Sequence, residues 1–384
     1  MKEVCGMRKI VKLIINLIFR IFKLKENKIV FESGRNLIDG NAKAVYDYLI
    51  SNNDCFELVW LVNKDTDVSD INENHYAYYK TLKGYYHLAT SKYWIKNQSM
   101  GSLIKKRKGQ IYIQLFHGNG VLKKMGYDVD NSKERVELEH VKDWDYYIAN
   151  DENDEKVIRS STGYNGKVEI FGMACVDNVI KYSKDVKFKN NVLKQLGIDK
   201  IAKNKKILLY APTFRDFDLD KEIVDVPILK LSELKDYIVI VRLHPLVKDK
   251  VNKDLFKYAN IVNGCNYPDC SGILAISDLL ITDYSSIFYE YLPLDLPIVF
   301  YPYDYERYVE LRGGFYVDYK NELPGPICYS EKELFDTINN IDNLYNKYTE
   351  KRKKFIKKYD SLSDGESSKR FVDKLISGNF SKEK

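Results

Sequence analysis

The stretch LLITDYSS at positions 279–286 decides the fold class of this chain. Its apolar residues are followed by a polar turn, and residues 287–291 are compatible with a helix that starts directly behind the turn. A strand, a turn and a helix in this order form the repeating unit of a parallel α/β sheet. The stretch therefore predicts an α/β protein with ligand-binding turns at the carboxyl ends of its strands.

The turn within this stretch is a candidate phosphate site. Ser285 and Ser286 lie where the helix would begin, so hydroxyls, backbone N–H groups and the positive end of the helix dipole converge there. Capping of the helix by Ser285 alone would explain only one of the two serines. Glu290, one turn into the helix, is placed either to reach a ribose or to form an ordinary surface ion pair.

Short β-rich runs alternate with helical stretches along the rest of the chain, in two series separated by the Lys-rich residues 181–190. With 384 residues, the chain is long enough for two α/β domains. We predict Rossmann-like domains at 26–185 and 186–384. The predicted strands are 28–31, 56–62, 93–96, 110–115, 146–149 and 168–171 in the first domain, and 206–210, 237–241, 259–262, 279–282 and 298–300 in the second. The predicted helices include 42–50, 331–340, 344–359 and 366–376.

Residues 7–24, MRKIVKLIINLIFRIFKL, carry basic residues every three or four positions between apolar ones. This spacing predicts an amphipathic helix, within a segment 1–25, with a cationic stripe. Lys12, Arg20 and Lys23 interrupt any span long enough to cross a bilayer. We expect the helix to lie on an anionic membrane surface, and the alternative is a helix packed on the protein's own core.

The composition excludes several classes of protein. Lys and Arg number 61 against 55 Asp and Glu, so the net charge of +6 gives no reason to expect a nucleic-acid partner. The six cysteines form no Cys-x-x-Cys pair, which indicates a reducing, cytoplasmic compartment and neither a zinc ribbon nor a disulfide scaffold. Neither a G-x-G-x-x-G nor a Walker motif is present, so phosphate binding must use other groups.

Polar residues also follow three other predicted strands. In QLFHGNG at 114–120, His117 falls at a strand end, where a histidine can accept a proton near neutral pH. In APTFR at 211–215, Thr213 and Arg215 could face an anion, or Arg215 could pair with Asp216 or Asp218. In RLHP at 242–245, an apolar strand ends in Arg242 and His244, a pair of cationic side chains with few purely structural uses.

These four blocks, in this order, resemble the CDP-glycerol glycerophosphotransferase family of teichoic-acid primases and polymerases. His117, Gly118 and Lys123 match a His-Gly block with a nearby lysine, and the blocks at 211–215, 242–245 and 282–286 match in turn. Further similarity lies in Tyr303-Asp304, in residues 312–316 and in 324–326. The family usually has Thr-Pro after His-Gly, whereas this chain has Asn119-Gly120.

The resemblance implies a GT-B arrangement, with two Rossmann-like domains facing a central cleft and the nucleotide on the C-terminal domain. It implies transfer of glycerol phosphate from CDP-glycerol to a hydroxyl of a lipid-linked acceptor, with release of CMP. His117 is the expected general base, and His244 is expected to stabilise the leaving group. The expected substrate-binding residues are Gly118, Lys123, Thr213, Arg215, Arg242, Asp283, Ser285, Ser286 and Glu290.

Several alternatives stay open at the level of sequence. The donor could be CDP-ribitol, the enzyme could be a GT-B glycosyltransferase using a nucleotide sugar, or the chain could be a membrane-bound binding module without turnover. We expect no required cofactor or metal, with Asp283 left open as a metal ligand. The expected acceptor is an undecaprenyl-diphosphate-linked saccharide at the cytoplasmic face of the membrane, and a homo-oligomer is left open.

Overall fold

The computed structural model describes residues 15–34, 37–52, 55–98, 104–129, 141–215, 217, 226 and 230–380. Two parallel β-sheets, one in each half of the chain, form its framework. Residues 7–14 of the predicted helix at 7–24, together with Asp216 and Asp218, lie outside these residues.

The first sheet has seven parallel strands in the order β3-β2-β1-β4-β5-β6-β7. Its central strands are buried along almost their whole length, as expected of a parallel sheet covered by helices on both faces. The order reverses between β1 and β4, which is where such sheets bind ligands. The strands are β1 (Lys25–Glu32), β2 (Glu57–Val62), β3 (Tyr76–Tyr78), β4 (Ser91–Lys96), β5 (Ile111–Gln114), β6 (Tyr146–Ala149) and β7 (Lys167–Ile170).

The second sheet has five parallel strands in the order β10-β9-β8-β11-β12, and its order reverses between β8 and β11. Residues of β9 are fully or almost fully buried along its length, so this strand lies at the centre of the domain core. The strands are β8 (Lys206–Tyr210), β9 (Tyr237–Val241), β10 (Ile261–Asn263), β11 (Leu279–Thr282) and β12 (Ile298–Phe300).

Helices cover the faces of both sheets. Those of the first half are α1 (Gly40–Asn52), α2 (Leu82–Thr90), α3 (Glu152–Thr162), α4 (Ala174–Lys184) and α5 (Val186–Gln195). Those of the second half are α6 (Cys270–Ile276), α7 (Ile287–Tyr291), α8 (Tyr305–Arg312), α9 (Tyr319–Glu322), α10 (Glu331–Asn339), α11 (Ile341–Lys347), α12 (Thr349–Tyr359) and α13 (Ser367–Ile376).

Two helices pack into the core of the other half of the chain, which the domain boundary predicted at 185/186 did not anticipate. The last helix, α13, returns to the first domain, where Phe371 and Leu375 join the core that β1 and α1 form. Helix α4, which precedes the proposed boundary, contributes Val176 and Val179 to the core of the second domain. The Lys-rich stretch at 181–190 is itself helical, because its polar residues occupy exposed faces of α4 and α5.

The two-domain α/β fold predicted from the sequence is confirmed, and all eleven predicted strands are present. Strand β3 was not predicted, because three residues at a sheet edge leave no periodic signal. The single helix predicted at 344–359 is wrong: α11 and α12 meet at Tyr348, where the Arg352 side chain donates to the Tyr345 carbonyl.

The predicted N-terminal helix also differs at its end. Helical structure covers residues 15–19, and the chain then turns and enters β1 at Lys25, so the helix does not reach Leu24. Phe19 is buried beside Tyr85, with ring centroids 6.2 Å apart. Within the described part of the chain, no helix combines the length and the apolar character that crossing a bilayer requires.

Candidate active site

A cleft of about 470 Å³ lies between the two sheets, at the carboxyl ends of their strands. The first domain contributes residues that follow β1, β4 and β5, and the second contributes residues that follow β8, β9 and β11. Both switch points therefore open into one space. The predicted residues that line it are His117, Gly118, Lys123, Thr213, Arg242, His244, Ser285, Ser286 and Glu290.

The turn after β5 is strained and tightly packed. Phe116 has φ of +55°, a left-handed conformation that is costly for a bulky residue, and strain of this kind is frequent at functional sites. Gly118 has φ of +121°, and a Cβ added to it would lie 2.7 Å from Oγ of Ser286. Only glycine fits here, and its backbone brings His117 beside the serine turn of the other domain.

The turn after β9 orients His244. Its ring packs against Phe214 in a tilted arrangement with centroids 4.3 Å apart, and its Nδ1 accepts a hydrogen bond from the backbone N–H of Leu246 at 3.3 Å. Because Nδ1 is an acceptor, the proton of the neutral ring lies on Nε2. His244 is thereby prepared to donate from Nε2.

Arg242 is braced by its own domain. Nη1 donates to the carbonyls of Gly264 and Tyr267, both at 2.7 Å. These bonds hold the guanidinium at the cleft wall while its charge lowers the pKa of Cys270 and Glu290, both of which burial raises. Arg242 was predicted from the sequence to bind substrate, and it lines the cleft. Its two hydrogen bonds hold the side chain in place.

The turn after β8 positions Thr213. Its backbone N–H donates to Oδ1 of Asp283 at 2.7 Å, and Oδ1 also accepts from the N–H of Tyr284 at 2.6 Å. The Thr213 hydroxyl is buried and finds no hydrogen-bond partner in the described part of the chain. An unpaired buried hydroxyl is costly, and a ligand that accepts from it would remove that cost.

Arg215 and Asp283 lie beneath the cleft and do not line it. The Arg215 guanidinium is 2.9 Å from Oδ2 of Asp283, and its Nε and Nη2 donate to the two oxygens of Asp304 at 2.7 and 2.9 Å. It also lies over the rings of Tyr284 and Tyr303, at 4.9 and 5.1 Å. Arg215 therefore joins the turn after β8 to the turn after β11, and its charge is met by two carboxylates.

The two serines are not used to cap α7. Ser286 occupies the N-cap position without a side-chain capping bond, and Oγ of Ser285 accepts only a long bond of 3.4 Å from the N–H of Ile287. Helix α7 has five residues. Simple capping, the alternative explanation for this turn, therefore does not account for the serines, and both hydroxyls line the cleft.

Glu290 lines the cleft within an acidic group that includes Asp269 and Asp39. Burial, together with the charges of Asp269 and Asp39, raises the pKa of Glu290 to about 7, although a hydrogen bond with Cys175 and the charge of Arg242 act in the opposite direction. A carboxyl with this pKa can donate as well as accept hydrogen bonds near neutral pH. That property suits a ligand with hydroxyl groups.

Sequence reasoning missed several residues of the cleft. Asp39 and Asn97 follow β1 and β4, and Asp269 caps α6 by accepting from the N–H of Ser271 at 2.9 Å. The rule that ligands lie beyond carboxyl strand ends would have found Asp39 and Asn97 if it had been applied to every strand. Within the described ranges, no group of three or more His, Cys, Asp or Glu residues could hold a metal ion.

Two Rossmann-like domains with a shared cleft, two histidines and a hydroxyl-rich turn define a GT-B-type transferase. Within that class, the chain belongs to the family of CDP-glycerol:poly(glycerophosphate) glycerophosphotransferases, whose model matches residues 14–377. It is therefore a phosphotransferase that uses CDP-glycerol, as the four sequence blocks predicted.

Relatives cover nearly the whole chain. The teichoic acid glycerol-phosphate transferase of Staphylococcus aureus is 32% identical over 95% of this chain and 98% of its own length. The teichoic acid poly(glycerol phosphate) polymerase of Bacillus spizizenii is 30% identical over 96% and 98%. Among solved structures, the wall teichoic acid polymerase TagF superposes with a TM-score of 0.83 at 25% identity, covering 98% of this chain and 95% of that one.

Proposed function

We propose that this enzyme transfers glycerol phosphate from CDP-glycerol to a hydroxyl of an acceptor linked to a membrane lipid, in teichoic acid synthesis. The names of the two relatives most fully covered support both the glycerol unit and the polymer. Transfer of ribitol phosphate is the second candidate, because a ribitol-phosphate polymerase of Bacillus spizizenii is 28% identical over 94% of this chain. The higher identity of the glycerol-specific relatives favours glycerol.

The observation that carries the mechanism is the contact between Gly118 and Ser286 across the cleft. It brings the His117 turn of one domain beside the serine turn of the other. In the reaction, an acceptor hydroxyl attacks the β-phosphorus of CDP-glycerol, a phosphodiester bond forms, and the bond to CMP breaks. Such transfers depend mainly on positioning and on stabilisation of charge.

Each side chain has a proposed part in this displacement. His117 takes the proton of the attacking hydroxyl, and His244 donates from Nε2 to the phosphate that leaves with CMP. The hydroxyls of Thr213, Ser285 and Ser286 hold the diphosphate. Arg242 balances its charge from the cleft wall, and Lys123 and Gly118 belong to the acceptor side.

Glu290 has a proposed part in recognising the nucleotide. Its carboxyl can donate to and accept from the ribose hydroxyls at neutral pH, since its pKa is raised to about 7, first by burial. Arg215 and Asp283 support the turns from below. No step requires a metal, so we retain the prediction of a reaction without a cofactor.

The donor and the product can be tested together. The full chain is incubated with a lipid-linked saccharide acceptor and with CDP-glycerol, CDP-ribitol or a UDP-sugar, and the released nucleotide and the mass of the product are measured. We expect one glycerol phosphate on the acceptor for each CMP released. Preferential use of CDP-ribitol would replace the donor in the proposal, and transfer of a sugar would reject phosphotransfer.

We also propose that the N-terminal segment holds the enzyme on the cytoplasmic face of the membrane. Leu17, Ile18 and Ile21 are 55, 52 and 76% exposed, although Phe19 between them is buried. Arg107 donates to the carbonyls of Arg20 and Phe22 at 3.2 and 2.8 Å, which ties the segment to the first domain. The result is an apolar surface beside basic residues, as membrane-surface helices present.

Vesicle binding tests this membrane role. The double variant Ile18→Ser and Ile21→Ser should bind vesicles of anionic lipid several-fold more weakly than the wild type, with unchanged turnover on a soluble acceptor. Ile376→Ser is the matched control, because Ile376 is similarly exposed at 52% but lies at the end of α13. Undiminished vesicle binding by the double variant would contradict the proposal.

A further inference from the structure

The turn that carries His117 has little intrinsic rigidity. Gly118 and Gly120 flank Asn119 directly after the histidine, and glycine has more backbone freedom than any other residue. A general base must nevertheless lie within hydrogen-bond reach of the proton that it removes. Other parts of the structure must therefore fix this turn.

Two asparagines hold the turn at its sides. Nδ2 of Asn41 donates to the carbonyls of Leu115 and Phe116 at 2.9 and 3.3 Å, just before His117. Asn119 donates to the Tyr359 carbonyl at 3.2 Å and accepts from the N–H of Val121 at 2.9 Å. These bonds restrain the residues on both sides of His117. They do not involve Gly120, so another group must hold that residue.

That group is Asp154, a fully buried carboxylate on α3. It accepts hydrogen bonds from the N–H of Asn150 at 2.9 Å and from the Tyr147 hydroxyl at 3.3 Å. The backbone N–H of Gly120 also interacts favourably with its charged form and thereby lowers its pKa. A Cβ added to Gly120 would lie 2.9 Å from Oδ1 of Asp154, so the carboxylate fits closely against the back of the turn.

The start of α3 does not need this carboxylate. Asp151 caps the helix, since its Oδ1 accepts from the N–H groups of Asn153 and Asp154 at 2.8 and 2.9 Å. The pKa of Asp154 is raised to about 7, because burial outweighs the opposite effects of the N–H of Asn150, the Tyr147 hydroxyl and the N–H of Gly120. Burying the Asp154 carboxyl costs free energy. This cost is consistent with a structural role, because the carboxyl oxygens connect β6, α3 and the His117 turn.

We propose that Asp154 is a positioning residue that fixes the His117 turn through the N–H of Gly120. This inference rests on the proposed role of His117 as general base. Asp154 touches neither substrate, so its effect on the reaction passes through the placement of the histidine ring. The donor side of the cleft belongs to the other domain and does not depend on it.

The variant Asp154→Asn tests the proposal in the full chain. An amide has one acceptor oxygen, so one of the two backbone N–H groups would face an NH₂ group instead. With CDP-glycerol and a lipid-linked acceptor, we expect kcat to fall at least tenfold, while KM for CDP-glycerol stays within twofold. Asp151→Asn is the matched control: it neutralises a neighbouring buried carboxylate of α3, keeps a good capping residue and should leave kcat unchanged.

Measurement of His117→Ala in parallel separates the two proposals. If Asp154→Asn keeps wild-type kcat while His117→Ala loses it, the positioning inference fails and the role of His117 stands. If His117→Ala keeps wild-type kcat, both proposals fail. Equal losses in Asp154→Asn and Asp151→Asn would show an effect of buried charge in general and would also overturn the inference.

A second variant covers the case in which Asp154→Asn does not fold. Gly120→Ala leaves Asp154 in place and adds a methyl group 2.9 Å from its Oδ1, so the turn must move. We expect the same loss of kcat at unchanged KM for CDP-glycerol. Wild-type kcat in Gly120→Ala would overturn the proposal.

Discussion

The two sides of the cleft are built in different ways. On the donor side, a buried arginine joins the turns after β8 and β11: Arg215 pairs with Asp283 and Asp304, and Tyr284 stacks on Tyr308 with centroids 3.7 Å apart. On the acceptor side, glycines and a strained Phe116 form the turn, and side-chain hydrogen bonds to its backbone hold it. The donor side is fixed by its core, and the acceptor side by a few bonds.

This difference matches the proposed division of work. A diphosphate site benefits from groups that are already in place before the ligand arrives. On the acceptor side, the proposal requires only that one general base, His117, is placed correctly. Changes on the acceptor side should therefore act on turnover, whereas changes on the donor side should act on stability or on nucleotide affinity.

The largest expected effect comes from removing the proposed general base on the acceptor side. His117→Ala should lower kcat by about 10² to 10⁴, because a general base contributes a factor in this range. The dissociation constant of CDP-glycerol should stay within about twofold, since the proposed donor site lies on the other domain. CMP release and equilibrium binding measure the two quantities, and a variant that turns over at the wild-type rate removes His117 from the mechanism.

The next effect breaks the core of the donor side. Arg215→Met leaves the buried Asp283 and the partly buried Asp304 without their partner, which should lower the free energy of unfolding by roughly 3 to 5 kcal/mol. Arg159→Ala, which removes a half-exposed ion pair with Glu155 on α3, should cost at most about 1 kcal/mol. Thermal unfolding compares the two variants. Equal losses of unfolding free energy would mean that the ion pairs of Arg215 do not hold the turns after β8 and β11 together.

A smaller effect is expected at the surface of the donor site. Ser285→Ala combined with Ser286→Ala removes two hydroxyls, each worth about 0.5 to 1.5 kcal/mol in hydrogen bonding. The affinity for CDP-glycerol should fall roughly tenfold, while the melting temperature changes little because neither serine caps α7 through a strong bond. Calorimetric titration with CDP-glycerol measures the affinity, and wild-type affinity would place the diphosphate elsewhere.

The smallest effect concerns Glu290 and depends on pH. Its pKa is about 7 in the folded protein against 4.5 when unperturbed, because burial disfavours the charged form. Between these values the unfolded chain loses a proton that the folded protein keeps, so stability falls as the pH rises through this window. Because Glu290 is only half-buried, solvent screens the effect.

Glu290→Gln removes this titration. The melting temperature of the variant, relative to the wild type, should rise by a few degrees between about pH 4.5 and 7 and then stay level. Unfolding scans at several pH values measure it. A difference that is independent of pH would show that Glu290 ionises normally in the folded protein.

The fold could be predicted because the strands of both sheets are short, buried apolar runs. Strands such as 206–210, 237–241 and 279–282 were predicted with their observed bounds. Short elements at an edge, such as β3, and the break at Tyr348 leave no such pattern. Tertiary contacts of individual side chains determine whether such a short strand or such a break forms.

The site could be predicted in part. Residues directly after strands, such as His117 and His244, were found because parallel strands present their carboxyl ends to one edge. The pairing of Arg215 with Asp304 could not be predicted. The two residues are 89 positions apart, and they meet only because the chain brings the segments that carry them together. The same holds for Asp154, whose close approach to Gly120 joins two segments that are separated in the sequence.

The structure of His117→Ala bound to CDP-glycerol would show which domain holds the donor. We expect the nucleotide and diphosphate on the C-terminal domain, in contact with Thr213, Ser285 and Ser286. The β-phosphorus should face the position that the His117 ring has left. A diphosphate bound to the N-terminal domain, or one that lies away from the His117 turn, would contradict the division of the cleft into a donor side and an acceptor side.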